Sequence, residues 1–297
     1  MPELPEVETV MRGLQRAMEG RRLETVELRC PKLRFPFPQD FAARLKGRKV
    51  EAFKRRAKYI LVSIEGGDCL LMHLGMTGRF AVIDPAGRAR NLGEFYEEGA
   101  HIGLGDGPHD HVLFRLDNGT HVIYGDARRF GFMDLFPERD TLNHERLRNI
   151  GVEPLGNEFN AEYLAQAFAG KSAPLKAALL DQSIVAGLGN IYVCEALFRT
   201  GLSPKRKART LVKRGKPDPR LEELVRHIGN VLTEAIAYGG STLNDFIHTD
   251  GKTGEFQQRF AVYDREGDPC TTPNCRSTIR RLVQSGRSTF YCPTCQR

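Results

Sequence analysis

Cys270-Thr271-Thr272-Pro273-Asn274-Cys275 and, after sixteen intervening residues, Cys292-Pro293-Thr294-Cys295 stand near the end of a 297-residue chain. Two thiol pairs, one spaced by four residues and one by two, converge on a single tetrahedral zinc ion when each pair sits on a tight turn, here helped by Pro273 and Pro293. Between the pairs, Thr278–Val283 and Ser288–Tyr291 carry β-forming residues and meet at Gln284-Ser285-Gly286-Arg287. The spacing predicts a zinc-pinned β-hairpin with Arg287 at its tip. Zinc affinity of about 10–16 kcal/mol is enough to fold so small a unit. Four cysteines fill the metal's shell and leave no position for water, so the expected zinc is structural. Disulfides in a secreted protein are the other reading of the pairs. Against it, the amino terminus lacks the basic-then-apolar pattern of a secretory leader, and an intracellular chain is expected.

Working back from the hairpin, helical patterns occupy 160–169, 173–181, 190–199 and 218–238, with Gly and Pro between them. Ahead of about residue 137 the pattern is β-rich: segments near 48–55, 58–65, 68–74 and 79–83, then His111–Leu116 and Thr120–Tyr124 around Asn118-Gly119, a hairpin signal. Residues 84–108 are polar and read as a long loop. Val7, Val10, Met11, Leu14 and Met18 recur at helical spacing after Pro5, so a leading amphipathic helix precedes the strands. Cys30, Cys69 and Cys194 lie in apolar patterns and are expected to be buried.

Net charge is +7 and the isoelectric point about 9.1. The surplus is clustered: residues 205–216 hold seven Lys and Arg without an acid, 276–297 hold five Arg without an acid, and Lys54, Arg55, Arg56 and Lys58 form a third group. Clustered cations suit a polyanion, nucleic acid before an anionic membrane. No basic amphipathic anchor and no apolar run of membrane-spanning length is present.

The first residues carry the chemistry. With Met1 removed, Pro2 has a free secondary amine. An α-amino group has a reference pKa of about 7.7–8.0, against about 10.4 for lysine, so far more of it is neutral near pH 7. Beside the carboxylate of Glu3 it suits Schiff-base chemistry on a sugar or carbonyl carbon. The alternative is an ordinary terminus.

Pro2-Glu3-Leu4-Pro5-Glu6, Arg55-Arg56-Ala57-Lys58-Tyr59, His73-Leu74-Gly75-Met76, Asp126-Ala127-Arg128-Arg129-Phe130-Gly131, Gly187-Leu188-Gly189-Asn190-Ile191-Tyr192 and Arg287–Cys292 together resemble the bacterial formamidopyrimidine-DNA glycosylase family from end to end. The resemblance implies an α+β multidomain fold: a catalytic β-sandwich with a leading helix (1–136), a helix–two-turns–helix DNA-binding domain with a lesion-capping loop (137–260), and a zinc finger (261–297). It implies a monomeric cytoplasmic base-excision repair enzyme that removes oxidised purines from duplex DNA and cleaves the abasic strand by β,δ-elimination.

By the same resemblance, Pro2 is the nucleophile and Glu3 the proton shuttle at the sugar. Lys58 and Arg287 are proton donors in the two eliminations, and both also suit a phosphate clamp. A flipped nucleotide leaves a gap in the duplex. Met76, Arg128 and Phe130 resemble the residues that fill it, although alone Met76 and Phe130 also suit a core and Arg128 an exposed turn. His109, Arg128 and Lys171 resemble DNA-binding positions. Asn190 resembles a phosphate contact or a helix N-cap, and His73 is a DNA contact or a structural histidine. His248–Phe256 resembles the loop that closes over the flipped base. Cys270, Cys275, Cys292 and Cys295 hold one zinc, the first pair being wider than the family's usual two-residue spacing. Two alternatives stand beside this reading: an endonuclease VIII-like enzyme for oxidised pyrimidines, and a non-catalytic zinc-finger DNA-binding protein.

Overall fold

The computed structural model describes residues 2–93, 107–241 and 256–297. The chain forms two compact units, Met1–Arg148 with Ile236–Gln257, and Asn149–Ala235 with Gln258–Arg297.

The first unit opens with helix α1 (Leu4–Met18), whose N-cap is Glu3 and whose first turn contains Pro5. Val7, Val10, Met11, Leu14 and Met18 are all buried, so the apolar stripe faces inward. Burying a side chain of this size contributes roughly 1.5–3 kcal/mol, and this, more than intrinsic propensity, holds the helix on the sheets. Strand β1 (Leu23–Leu28) and a short helix α2 (Phe41–Leu45) follow. Next come β2 (Val50–Arg56), β3 (Tyr59–Ile64), β4 (Asp68–His73), β5 (Arg79–Ile83), β6 (Ala89–Leu92), β7 (Asp110–Leu116), β8 (His121–Gly125) and β9 (Phe132–Pro137). They make two antiparallel sheets, in the orders β1-β7-β8-β5-β6 and β2-β3-β4-β9. Phe80, Val112, Phe114 and Tyr124 from one sheet and Ile60, Val62, Met72 and Met133 from the other share one apolar core with Val7, Val10 and Leu14 of α1. That is a β-sandwich with its leading helix.

Two strands depart from the sequence reading. Residues 84–108 are not loop throughout: Ala89–Leu92 pairs with β5 as an edge strand. Its first two residues, Ala89 and Arg90, are exposed; a charged side chain on an edge strand discourages pairing with another chain, and with Leu92 its one buried residue the strand escapes an apolar scan. Residues 94–106 lie outside the described residues. Strand β9 pairs with β4 over Phe132–Pro137. Most of its side chains, on both faces, are buried, so it does not alternate.

The second unit contains α3 (Ala161–Phe168), α4 (Leu175–Leu180), α5 (Asn190–Arg199), a ribbon of two-residue strands β10 (Val212–Lys213) and β11 (Lys216–Pro217), and α6 (Pro219–Ala237) up to Ala235. It ends in the hairpin β12 (Arg280–Gln284) and β13 (Arg287–Tyr291). Asn160 caps α3 by accepting from the Tyr163 amide at 2.8 Å. Glu195 of α5, almost fully buried, accepts from the amides of Ala261, Val262 and Tyr263 at 2.9–3.0 Å and so fastens the approach to the hairpin. Gln296 donates to the Leu202 carbonyl and accepts from the Cys292 amide, tying the last cysteine pair to the segment after α5. No described helix is long and apolar enough to cross a membrane.

Candidate active site and nucleic-acid interface

In the first unit Pro2 and Glu3 are buried at the head of α1, Glu3 with 4% of its surface exposed. Glu3 and Glu6 form a reciprocal capping box, in which the Glu3 amide donates to Glu6 Oε2 at 2.9 Å. The positive end of the helix favours negative charge on Glu3. Glu6 Oε1 accepts from the Ser241 amide at 2.7 Å and from its hydroxyl at 3.0 Å. The start of α1 is thereby fixed to Ser241.

Lys58 lies in the two-residue turn between β2 and β3, 7% exposed, after Ala57 at φ 52°. Arg55 holds this turn: its Nη1 donates to the Ala57 carbonyl at 3.0 Å and its Nε pairs with Glu8 of α1 at 2.8 Å. Both side chains of that pair are largely buried, at 10% and 13% exposure, so the contact is less screened than a surface ion pair.

Met76 and the Arg128–Phe130 stretch sit on adjoining loops, Leu74–Gly78 and Asp126–Gly131. Met76 is half-buried and Arg128, Arg129 and Phe130 are exposed. Phe130 presents 42% of its surface, and the Arg128 guanidinium lies over its ring at 4.6 Å. An exposed phenylalanine beside a stacked arginine is not a core residue, which decides one of the alternatives left open by the sequence. The loops touch through backbone. At Gly75 (φ 63°) a Cβ would stand 2.3 Å from the Gly131 nitrogen, so only glycine fits.

His73 stacks against Phe132 and lies close to Tyr59, with centroids at 5.2 and 5.1 Å. Burial lowers its pKa to about 4, with Lys58, Arg34 and Arg146 adding repulsion. The neutral ring accepts the Gly75 amide on Nδ1 at 3.1 Å, which gives His73 a structural bond at the root of the Met76 loop. His109 is exposed, and its carbonyl accepts the Asp126 amide at 3.0 Å, which attaches it to the Arg128 loop.

In the second unit Arg287 is exposed at the start of β13, opposite Gln284, across a turn with Ser285 at φ 49° and Gly286 at φ 73°. Positive φ at both positions suits a tight hairpin turn matched to strand twist. Asn190 is not an N-cap, because Gly189 holds that position. Its Nδ2 instead donates to the Ser288 carbonyl at 2.9 Å. Lys176, fully buried, donates to the same carbonyl at 3.0 Å and to Thr289 Oγ1 at 2.7 Å. Two helices therefore hold the residues just after Arg287. Lys171 makes a long ion pair with Asp181 at 3.9 Å.

The sulfur atoms of Cys270, Cys275, Cys292 and Cys295 all lie within 4.8 Å of one another, with 3.8 Å between Cys270 and Cys295 and between Cys275 and Cys292. Zinc–sulfur bonds of about 2.3 Å in a regular tetrahedron require sulfurs about 3.8 Å apart, so the thiols fit one zinc ion and are too distant for disulfides. The segment expected to cap the lesion, His248–Phe256, lies outside the described residues except for Phe256, which is buried.

Sequence reasoning did not single out Arg55, Glu6, Lys176, Glu195 or Asp126. Their only signal in the sequence is a charged residue inside or beside a motif.

The family model for the formamidopyrimidine-DNA glycosylase N-terminal domain matches residues 1–133, that for the formamidopyrimidine-DNA glycosylase H2TH domain residues 150–247, and the zinc finger found in FPG and IleRS residues 267–297. The chain is 56% identical over 297 residues to the formamidopyrimidine-DNA glycosylase of Methylobacterium sp. (strain 4-46), covering 100% of this chain and 99% of that protein. It is 55% identical to the one from Rhizobium meliloti (strain 1021), covering 100% of both. The MutM (Fpg) protein of Thermus thermophilus superposes with a TM-score of 0.80 at 38% identity, covering 99% of this chain and 98% of that one. Lactococcus lactis Fpg in complex with DNA containing an abasic site superposes with a TM-score of 0.80 at 28% identity, covering 100% of both.

Proposed function

The chain belongs to the formamidopyrimidine-DNA glycosylase family, and on that premise we propose how its own residues carry the reaction. It is a DNA glycosylase of base-excision repair with abasic-site lyase activity. With Met1 removed, the Pro2 nitrogen attacks C1′ of the extruded nucleotide and the bond from C1′ to the damaged base breaks. Glu3 takes the proton that the Pro2 nitrogen loses and delivers it to the sugar ring oxygen as the ring opens, so that the proline nitrogen becomes an iminium, while the departing base takes up a proton from water. The iminium acidifies the 2′ carbon. Loss of its proton expels the 3′ phosphate, and a second elimination expels the 5′ phosphate. Lys58 and Arg287 donate protons in these two steps and pair with the phosphates beside the lesion. Water then frees the proline. Met76, Arg128 and Phe130 fill the gap left by the base, and His73, His109, Lys171 and Asn190 contribute to DNA binding. The zinc ion, held by its four cysteines, supports the hairpin that carries Arg287 and takes no part in the chemistry.

The observation that carries this reading is a proline at position 2 held at the head of α1, next to a buried carboxylate that caps the helix. We place the enzyme in the cytoplasm as a monomer acting on damaged duplex DNA, without membrane attachment. Excision from duplexes carrying either 8-oxoguanine or thymine glycol tests the substrate. The expected result is release of 8-oxoguanine with phosphate left on both sides of the gap. Preference for thymine glycol would favour the endonuclease VIII-like alternative, and binding without excision would favour a DNA-binding protein.

A further inference from the structure

Asp126 has no place in the chemistry above, yet it is fully buried where the two loops bearing Met76, Arg128 and Phe130 meet. Its carboxylate joins them. Oδ1 accepts from the Thr77 hydroxyl at 2.5 Å, on the Met76 loop. Oδ2 accepts from the Gly131 amide at 2.8 Å, at the end of the Phe130 loop, and from the Tyr124 hydroxyl at 3.2 Å. Thr77 Oγ1 in turn accepts from the Arg128 amide at 3.2 Å, closing a ring across both loops. The main chain of Asp126 is tied as well. Its carbonyl accepts from His111 Nε2 at 2.9 Å and from the Arg129 amide at 3.2 Å. Burial lowers the His111 pKa, so the ring is neutral and its Nε2 carries the proton it donates. Burial also raises the Tyr124 hydroxyl well above its ordinary value, so the phenol stays a donor. A buried carboxylate with this many donors has one stable arrangement, since each bond lost leaves a desolvated charge less compensated.

We infer that Asp126 is a positioning residue that locks the Met76 loop and the Arg128–Phe130 loop together, so that the three side chains enter the duplex as one rigid wedge. This rests on the wedge reading given above. Unstacking DNA is unfavourable, and a wedge whose parts are already fixed loses little entropy while offsetting that cost.

Thr77→Val keeps the side-chain volume and removes the cross-link. Asp126→Asn replaces an acceptor oxygen by an amide that cannot accept. Thr77→Ser restores the hydroxyl. Two rates of borohydride trapping are compared: on a paired 8-oxoguanine duplex, which needs extrusion, and on a single-stranded abasic oligonucleotide, which does not. The inference expects Thr77→Val and Asp126→Asn to trap about tenfold slower on the duplex, the size of a lost charge-assisted hydrogen bond. Both should keep the parent rate on the single strand, and Thr77→Ser should match the parent on both. Equal slowing on both substrates would mean a general loss of structure and would overturn the lock. Parent rates for both variants, with Met76→Ala and Phe130→Ala slow on the duplex, would overturn the lock and leave the wedge. Parent rates for Met76→Ala and Phe130→Ala would remove the wedge reading itself, and the lock with it.

Discussion

His73 is a histidine whose pKa bears on stability. Its pKa of about 4 reflects burial first, then Lys58, Arg34 and Arg146. In an unfolded chain the same ring titrates near 6.5. Between those values the unfolded state binds the proton and the folded state does not, so this residue lowers stability as pH falls from about 6.5 toward 4 and has no effect above that window. Protonation would also remove the Nδ1 lone pair that accepts the Gly75 amide. Replacing His73 by Gln, which cannot be protonated, should therefore remove on the order of 1–2 kcal/mol of the stability difference between pH 7 and pH 5. Urea denaturation of both proteins at the two pH values checks it. A pH dependence unchanged by the substitution would contradict the assignment.

Among the elements, the hairpin of β12 and β13 makes the most direct use of the metal, because its strands are short and Arg280, Arg281 and Arg287 are exposed. Cys292→Ser, or prolonged chelation, should release the zinc and unfold the hairpin while leaving the sandwich intact. Metal analysis together with amide exchange at Phe290 and Tyr291 checks this. Retained protection without zinc would mean that Lys176, Asn190 and Gln296 hold the hairpin unaided. The same hairpin was legible in the sequence, since its cysteine spacing and its Ser285-Gly286 turn are local features. So were α1, through its stripe, and the hairpin of β7 and β8, through Asn118-Gly119. Strand β9 was not, because Phe132, Met133, Leu135 and Phe136 point to both faces and are all buried, leaving no alternation to read. The short edge strand β6 was hidden by its exposed Ala89 and Arg90.

For the molecule as a whole, the residues proposed to act were easier to read than those that hold them. Pro2 beside Glu3 and the four cysteines lie in short motifs whose residue types suggest a use, and Lys58 lies in one that resembles the family's. Their supports pair across the chain: Glu6 with Ser241 over 235 positions, Thr77 with Asp126 over 49, Arg55 with Glu8 over 47. No local pattern encodes such pairs, since only folding brings them together. The sandwich unit thus builds an amino terminus that is capped, buried and anchored, and the helical unit builds an arginine on a hairpin whose four cysteines fit one zinc ion. The account depends on the nitrogen at position 2 becoming bonded to the damaged sugar. Borohydride reduction of the enzyme with 8-oxoguanine duplex, followed by proteolysis and mass spectrometry of the cross-linked peptide, measures that bond directly. The account predicts a reduced sugar adduct on the amino-terminal peptide, attached to Pro2 with Met1 absent. An adduct on Lys58, or excision with no covalent adduct anywhere, would contradict it.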